Sequence, residues 1–269
     1  MKLSIVLSTQ PASFSALAFK GHWAENIGRI SALGYDGVEL AVRDPALLDA
    51  PALKTLLERH RLTVPAIGTG QAYGEEGLSF THPDAGIRRK AVERIRSQIG
   101  LASGLGAVVI IGLIRGRGGP ASDGRRAEGW LTGALRECAG LNRAVKLAVE
   151  PINRYETDLV NTVASGLDLV EKTKMENVGL LLDTFHMNIE EPSITDSIAS
   201  CGDRLFHFHI ADSNRWHPGA GHIDFQRVVD ALDKIRYRGF LSAEILPLPD
   251  PDTAAKKTIQ TMRAIAKRT

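Results

Sequence analysis

The sequence predicts a single (β/α)₈ TIM barrel over residues 1–269, and three observations predict it. Eight short apolar runs alternate with eight amphipathic segments. The runs are apolar nearly throughout rather than strictly alternating, as parallel strands covered by helices must be. Eight is also the number of βα units that closes a sheet on itself, and the chain has the length of one such barrel. The runner-up is an open doubly wound sheet, but no Gly-rich phosphate fingerprint follows the first run to support it.

In chain order the candidate strands are 2–8 (KLSIVLS), 37–41 (GVELA), 63–67 (TVPAI), 107–112 (AVVIIG), 145–149 (VKLAV), 178–183 (VGLLLD), 205–210 (LFHFHI) and 240–245 (FLSAEI). Helical segments are expected near 22–33, 45–60, 84–104, 121–142, 163–174, 193–201, 224–236 and 253–267. Glycines at Gly34, Gly37, Gly104, Gly106 and Gly239 stand just before strands. Gly there fits the residue after a helix end, where a positive φ is common.

Composition narrows the function. A net charge of +2 with acids and bases interspersed argues against a nucleic-acid binder driven by a basic patch. Two distant cysteines, Cys138 and Cys201, make no disulfide framework and point to a reduced, cytoplasmic compartment. The start MKLSIVLSTQ reads as a strand rather than a secretion signal. No apolar run approaches the roughly 18 residues of a membrane span.

In barrels of this kind chemistry gathers where strands end. The fifth run ends at Glu150, the sixth at Asp183; the seventh carries His209 and the eighth Glu244. Four consecutive strands thus deliver one potential ligand each at one height. Parity supports this: Ala148, Leu181, His207 and Ser242 lie two residues earlier on the same faces. Three carboxylates and one imidazole suit a divalent cation such as Mn²⁺, Co²⁺ or Mg²⁺, whereas structural zinc more typically recruits cysteines. Each acid read alone is equally well a buried ion-pair partner, and each histidine a satisfied core residue.

The stretches EPINRYETDLVNT (150–162), LLDTFHMNIEE (181–191), HFHIADSNRWHPGAGHIDF (207–225) and SAEILPLP (242–249) resemble the ketose 3-epimerases of the xylose-isomerase-like barrel superfamily. ALAFKG (16–21), AVRDP (41–45), AIGTGQAY (66–73) and VIIGLIRGR (109–117) are similar to the branch that includes 5-keto-L-gluconate epimerase. The resemblance covers essentially the whole chain. It implies metal ligation by Glu150, Asp183, His209 and Glu244, catalysis by Glu150 and Glu244, and substrate-oxygen contacts from Glu156, His186 and Arg215. It implies a free ketose or keto-acid sugar as the small-molecule partner, and a dimer or tetramer with a monomer left open.

Elementary chemistry agrees with that assignment. The proton beside a ketone is weakly acidic, and its removal leaves an enediolate whose oxygens need a cation. Inversion then needs a base on each face of the carbon, which two glutamates on different strands can supply. Other residues stay ambiguous. Arg115 and Arg117 are either carboxylate binders or a solvated loop, and Trp216 is either a pocket wall or a core cover. His22, His60 and His82 read as structural or surface, and His217 and His222 as shaping a loop.

Rival readings are separable. Hydroxypyruvate isomerase and other aldose–ketose isomerases use a similar ligand set. A DNA-repair nuclease of the endonuclease IV type needs extra histidines at the third and fourth strand ends, which here read IGTGQAY and IIGLIRG. A non-catalytic sugar-binding barrel has no need of the full ligand set.

Overall fold

The computed structural model describes residues 1–119 and 124–266. The elements are β1 (Lys2–Ser8), β2 (Phe19–Lys20), α1 (Trp23–Leu33), β3 (Gly37–Ala41), α2 (Ala50–His60), β4 (Ala66–Gly68), α3 (Gly70–Gly74), α4 (Ala85–Leu105) and β5 (Val108–Ile111). They continue with α5 (Gly124–Leu141), β6 (Leu147–Val149), α6 (Val163–Thr173), β7 (Val178–Asp183), α7 (Thr184–Glu190) and α8 (Ile194–Cys201). The last are β8 (Leu205–Ile210), α9 (Phe225–Lys234), β9 (Phe240–Ala243) and α10 (Pro251–Ala266). The sheet runs β1-β3-β4-β5-β6-β7-β8-β9 and closes through β1–β9 pairing, every pair parallel. That is the predicted eight-stranded barrel. The two-residue β2 was not expected; it pairs with the end of β1 at Leu7 and Ser8, after a loop has passed over the barrel mouth.

Where boundaries move, the cause is local. The third barrel strand begins at Ala66 rather than 63, because Pro65 has no N–H to give; Thr63 makes only an isolated bridge to Gly37. The segment 45–60 splits in two, since Asp44 and Asp49 each cap an N-terminus and each is followed within two residues by a proline. Gly34 and Gly106 take positive φ (90° and 69°) at helix ends as expected. Before β9 that role falls to Arg236 (φ 59°), so Gly239 is not a helix terminator. Its constraint is steric: a Cβ there would sit 2.3 Å from the Tyr237 hydroxyl. The expected start of the helix at 121 lies outside the described residues.

Strand parity sorts the interior. Outward-facing Leu147, Val149, Leu180, Leu182, Phe208 and Ile210 join the large core beneath the helices. Inward-facing Ala66, Ile110, Ala148 and Leu181 form a small separate plug within the barrel. The inward row one step above that plug carries Glu150, Asp183, His209 and Glu244. In the β7–β8 register Asp183 stands directly opposite His209. Among the described residues no helix is long and apolar enough to cross a membrane.

Candidate active site

The four predicted ligands converge. His209 Nδ1 lies 3.8 Å from Glu150 Oε1, 3.8 Å from Asp183 Oδ2 and 3.8 Å from Glu244 Oε2. The four ligand atoms all fall within 4.8 Å of one another. Donors on one ion at bonds of about 2.1 Å lie roughly 3–4 Å apart, so a single cation can reach all four. Glu150 Oε1, Asp183 Oδ2 and His209 Nδ1 are buried and have no hydrogen-bond partner. Buried polar atoms are normally satisfied; three unpartnered atoms this close together fit a bound cation. Oxygen-rich donors with one imidazole and no thiolate fit a hard or borderline divalent ion.

The carboxylates of the cluster are shifted in different directions. Burial pushes the Glu150 carboxyl up to about 8, and the neighbouring Glu244 adds to it. Burial also raises Glu244, against the pull of Arg215. At Asp183 burial works in the same direction, but Arg215, the His186 and His209 imidazoles and the Phe185 backbone N–H together outweigh it and hold the group below the usual carboxylate range. Gly112, at the end of β5, leaves room for this cluster: a Cβ there would lie 3.0 Å from Glu150 Oε2.

One buried residue in contact with the cluster escaped the sequence reading. Glu39, in the middle of β3 and 1% exposed, accepts from His209 Nε2 at 3.0 and 3.1 Å and from His207 Nε2 at 2.7 Å. Burial disfavours its charge, but the two imidazoles outweigh burial and hold the carboxyl well below its ordinary value. An ionised carboxylate only accepts, so both Nε2 atoms carry protons, and His209 turns Nδ1 to the cluster. At His209 burial opposes protonation, yet Glu39 prevails and pushes the imidazole up to about 10. His207 is therefore part of a buried network, not a ligand of the four-residue cluster. Glu39→Gln should weaken binding of a divalent metal about 10- to 100-fold, read by competition against a chelator. An unchanged affinity would show that the histidine needs no such partner.

Above the cluster lies a cavity of about 380 Å³, lined by Glu150, Glu244, His209, Glu156, His186 and Arg215 among others. Asp183 lies fully buried beneath it. His186, on α7, is buried; burial and the nearby Arg215 push it down to about 3, so it is neutral. Arg215 has a left-handed backbone (φ 61°), a conformation a non-glycine residue keeps only where surroundings enforce it. Its guanidinium donates to Glu244, lies 3.5 Å from Asp183, and is stacked 4.6 Å from the Phe185 ring. Glu156 is less buried and accepts from the Asn153 amide at 2.9 Å. Phe14, on the loop between β1 and β2, also lines the cavity with its ring 5.7 Å from the Arg215 guanidinium, and Ser13 fixes that loop by donating to Glu75 at 2.7 and 2.8 Å.

Several ambiguous residues resolve. Arg115 is neither a substrate clamp nor a solvated side chain. It is fully buried and donates to the carbonyls of Glu150, Leu159 (2.9 Å) and Val160 (3.2 Å), bracing the loop that follows β6. Arg117 is exposed and donates to the Glu156 carbonyl at 3.0 Å. Trp216 is 36% exposed and is not among the cavity-lining residues, so it is not a pocket wall. His222 and His217 serve the loop as expected, through Ser213 Oγ (3.0 Å) and the Pro218 carbonyl (3.1 Å). His82 accepts from the Asp84 backbone at 3.0 Å, a structural use.

The family described as "Xylose isomerase-like TIM barrel" matches residues 27–265. The L-ribulose 3-epimerase of Methylomonas sp. (strain DH-1) is 33% identical over 244 residues, 85% of this chain and 82% of that one. The 3-dehydro-D-guloside 4-epimerase of Escherichia coli (strain K12) is 26% identical over 270 residues, 96% of this chain and 98% of that one. A solved structure of an L-ribulose 3-epimerase superposes with a TM-score of 0.84 at 28% identity, over 99% of this chain and 95% of the other. On the family match and on this barrel, the chain belongs to the xylose isomerase-like TIM barrel family.

Proposed function

We propose that the protein is a divalent-metal-dependent ketose 3-epimerase acting on a free sugar. The observation that carries the reading is the pair Glu150 and Glu244. Both place one carboxylate oxygen at the four-ligand cluster and both line the cavity, from β6 and from the end of β9, with Asp183 and His209 between them. When bound there, a cation such as Mn²⁺, Co²⁺ or Mg²⁺ would supply positive charge at the substrate's ketone and hydroxyl oxygens.

The chain's own residues do the rest. One glutamate takes the C3 proton from one face, and the other returns a proton to the opposite face. His186 and Arg215 hold the substrate oxygens in which negative charge grows. Glu156 accepts from a hydroxyl. Leu17, Leu113 and Ile152 give the cavity an apolar wall that limits water around the carbanion. The partner is thus a small ketose, with neither nucleic acid nor membrane involved, and two buried free thiols fit a reducing cytoplasmic setting.

A 4-epimerase among the relatives makes the labelled carbon the decisive readout. The metal-reconstituted protein is offered L-ribulose, D-psicose, D-fructose, D-tagatose and a keto-uronate in D₂O. Deuterium should enter C3 of the product from the first turnover, with little at C1. Label at C1 or C2 would mark an aldose–ketose isomerase, and an inverted product with an unlabelled C3 would exclude the proton transfer.

Arg215→Ala and His186→Ala should each lower kcat/KM by about 10²- to 10³-fold, the cost of one donor aimed at a developing oxyanion, while metal content stays stoichiometric. Loss of the metal in His186→Ala would move that residue into the ligand set.

A further inference from the structure

The side chains of Arg215 and His186 meet in the cavity, with Glu150 Oε1 3.7 Å from the imidazole Nε2. Arg215 Nη1 lies 3.3 Å from His186 Nε2. A guanidinium only donates. Whether this contact is a hydrogen bond depends on which imidazole nitrogen carries the proton, and a third residue decides that.

Asn153 is 1% exposed and sits three residues past Glu150. Its Oδ1 accepts the backbone N–H of Tyr155 at 3.0 Å. That bond orients the amide and turns its NH₂ the other way, where Nδ2 reaches His186 Nδ1 at 2.8 Å and Glu156 Oε1 at 2.9 Å. The opposite flip would set the amide oxygen against a carboxylate oxygen and leave the Tyr155 N–H facing an NH₂. Three partners therefore agree on one orientation. An NH₂ only donates, so His186 Nδ1 is an acceptor, and in a neutral imidazole the proton then resides on Nε2.

The 3.3 Å contact is thus donor against donor. Arg215 Nη1–H and His186 Nε2–H cannot satisfy each other, and both residues line the cavity. Two convergent donors of this kind are complementary to one oxygen that gains charge during reaction.

We propose that Asn153 is a positioning residue that locks His186 in its Nε2–H tautomer, and so completes with Arg215 a two-donor cradle for one substrate oxygen. This rests on the epimerase reading of the cavity. Through its second N–H the same amide also orients Glu156, so one buried side chain aligns two of the groups expected to touch the sugar.

The test uses the full-length protein loaded with diamagnetic Mg²⁺ and ¹⁵N-labelled histidine. In the wild type the NMR spectrum should show His186 protonated at Nε2 and bare at Nδ1, and saturating ketose should move the Nε2–H resonance. Asn153→Asp keeps the oxygen that serves Tyr155 but presents an acceptor to Nδ1, so Nδ1 should become protonated. Asn153→Leu removes the donor with little change in size. Both variants should lose kcat on the order of 10²-fold with metal affinity unchanged. A protonated Nδ1 in the wild type would overturn the assignment, whether or not either variant folds. A relocated proton in Asn153→Asp with wild-type kcat would overturn the catalytic half. If the wild type turns over no ketose, the functional reading fails while the substrate-free spectra still decide the tautomer.

Discussion

Glu150→Gln and Glu244→Gln should each reduce epimerisation by roughly 10²- to 10⁴-fold, the range for a positioned general acid or base. Gln retains the length and one oxygen of the side chain, so the cavity keeps its shape while the capacity to carry a proton and the negative charge of the carboxylate are lost. The consequence is asymmetric. With Gln at one position the other glutamate still faces its own side of the substrate. Each variant should therefore exchange the C3 hydrogen of one epimer with D₂O and leave that of the other untouched, and the two variants should choose opposite epimers. Because each glutamate is also a proposed ligand, metal occupancy is measured in the same samples and the assays are run at saturating metal. Equal residual exchange of both epimers in both variants would mean that one group serves both faces. Wild-type turnover in either variant would remove that residue from the mechanism.

The four residues of the cluster were legible through periodicity, whereas Glu156, His186 and Arg215, which line the cavity, were named only through the resemblance. Glu150, Asp183, His209 and Glu244 stand at strand ends, and the two-residue alternation that put Ala148, Leu181, His207 and Ser242 beneath them follows from strand geometry alone. Glu39 escaped for the same reason. It lies inside the apolar run GVELA, three strands round the barrel from its partners, and nothing local says that it meets two imidazoles 168 and 170 residues away. Arg115 misled because Arg-Gly-Arg-Gly-Gly (115–119) reads as a solvated loop, whereas the fold bends the segment 150–160 over Arg115 and supplies carbonyls enough to bury a guanidinium. Asn153 was visible within EPINRYETD, but its role is a matter of which way an amide faces, and that is set by neighbours brought together in three dimensions.

Removing the metal should abolish activity and lower thermal stability, and both effects should depend on pH in a predictable direction. A ligand that binds only the folded state stabilises it by mass action, about 2.7 kcal/mol at a hundredfold excess over its Kd. The metal-free site holds protons that the cation must displace: burial and Glu244 push Glu150 up to about 8, and Glu39 pushes His209, against burial, up to about 10. Binding below these values releases protons, so metal affinity should climb steadily from pH 6 to pH 9, by roughly tenfold per pH unit for each proton released. The metal-free protein responds in the opposite sense. Both groups have folded-state values above their ordinary ones. Their contribution to stability is present at low pH and is lost as pH rises, toward about 8 for Glu150 and about 10 for His209. The gap in Tm between metal-loaded and EDTA-treated protein should therefore widen between pH 6 and pH 9. Calorimetric titration in buffers of different ionisation enthalpy counts the protons directly. A Tm gap that is flat across this range, with no proton release, would place the cation away from Glu150 and His209. Full activity after exhaustive dialysis against EDTA, with no metal found by elemental analysis, would eliminate the site itself.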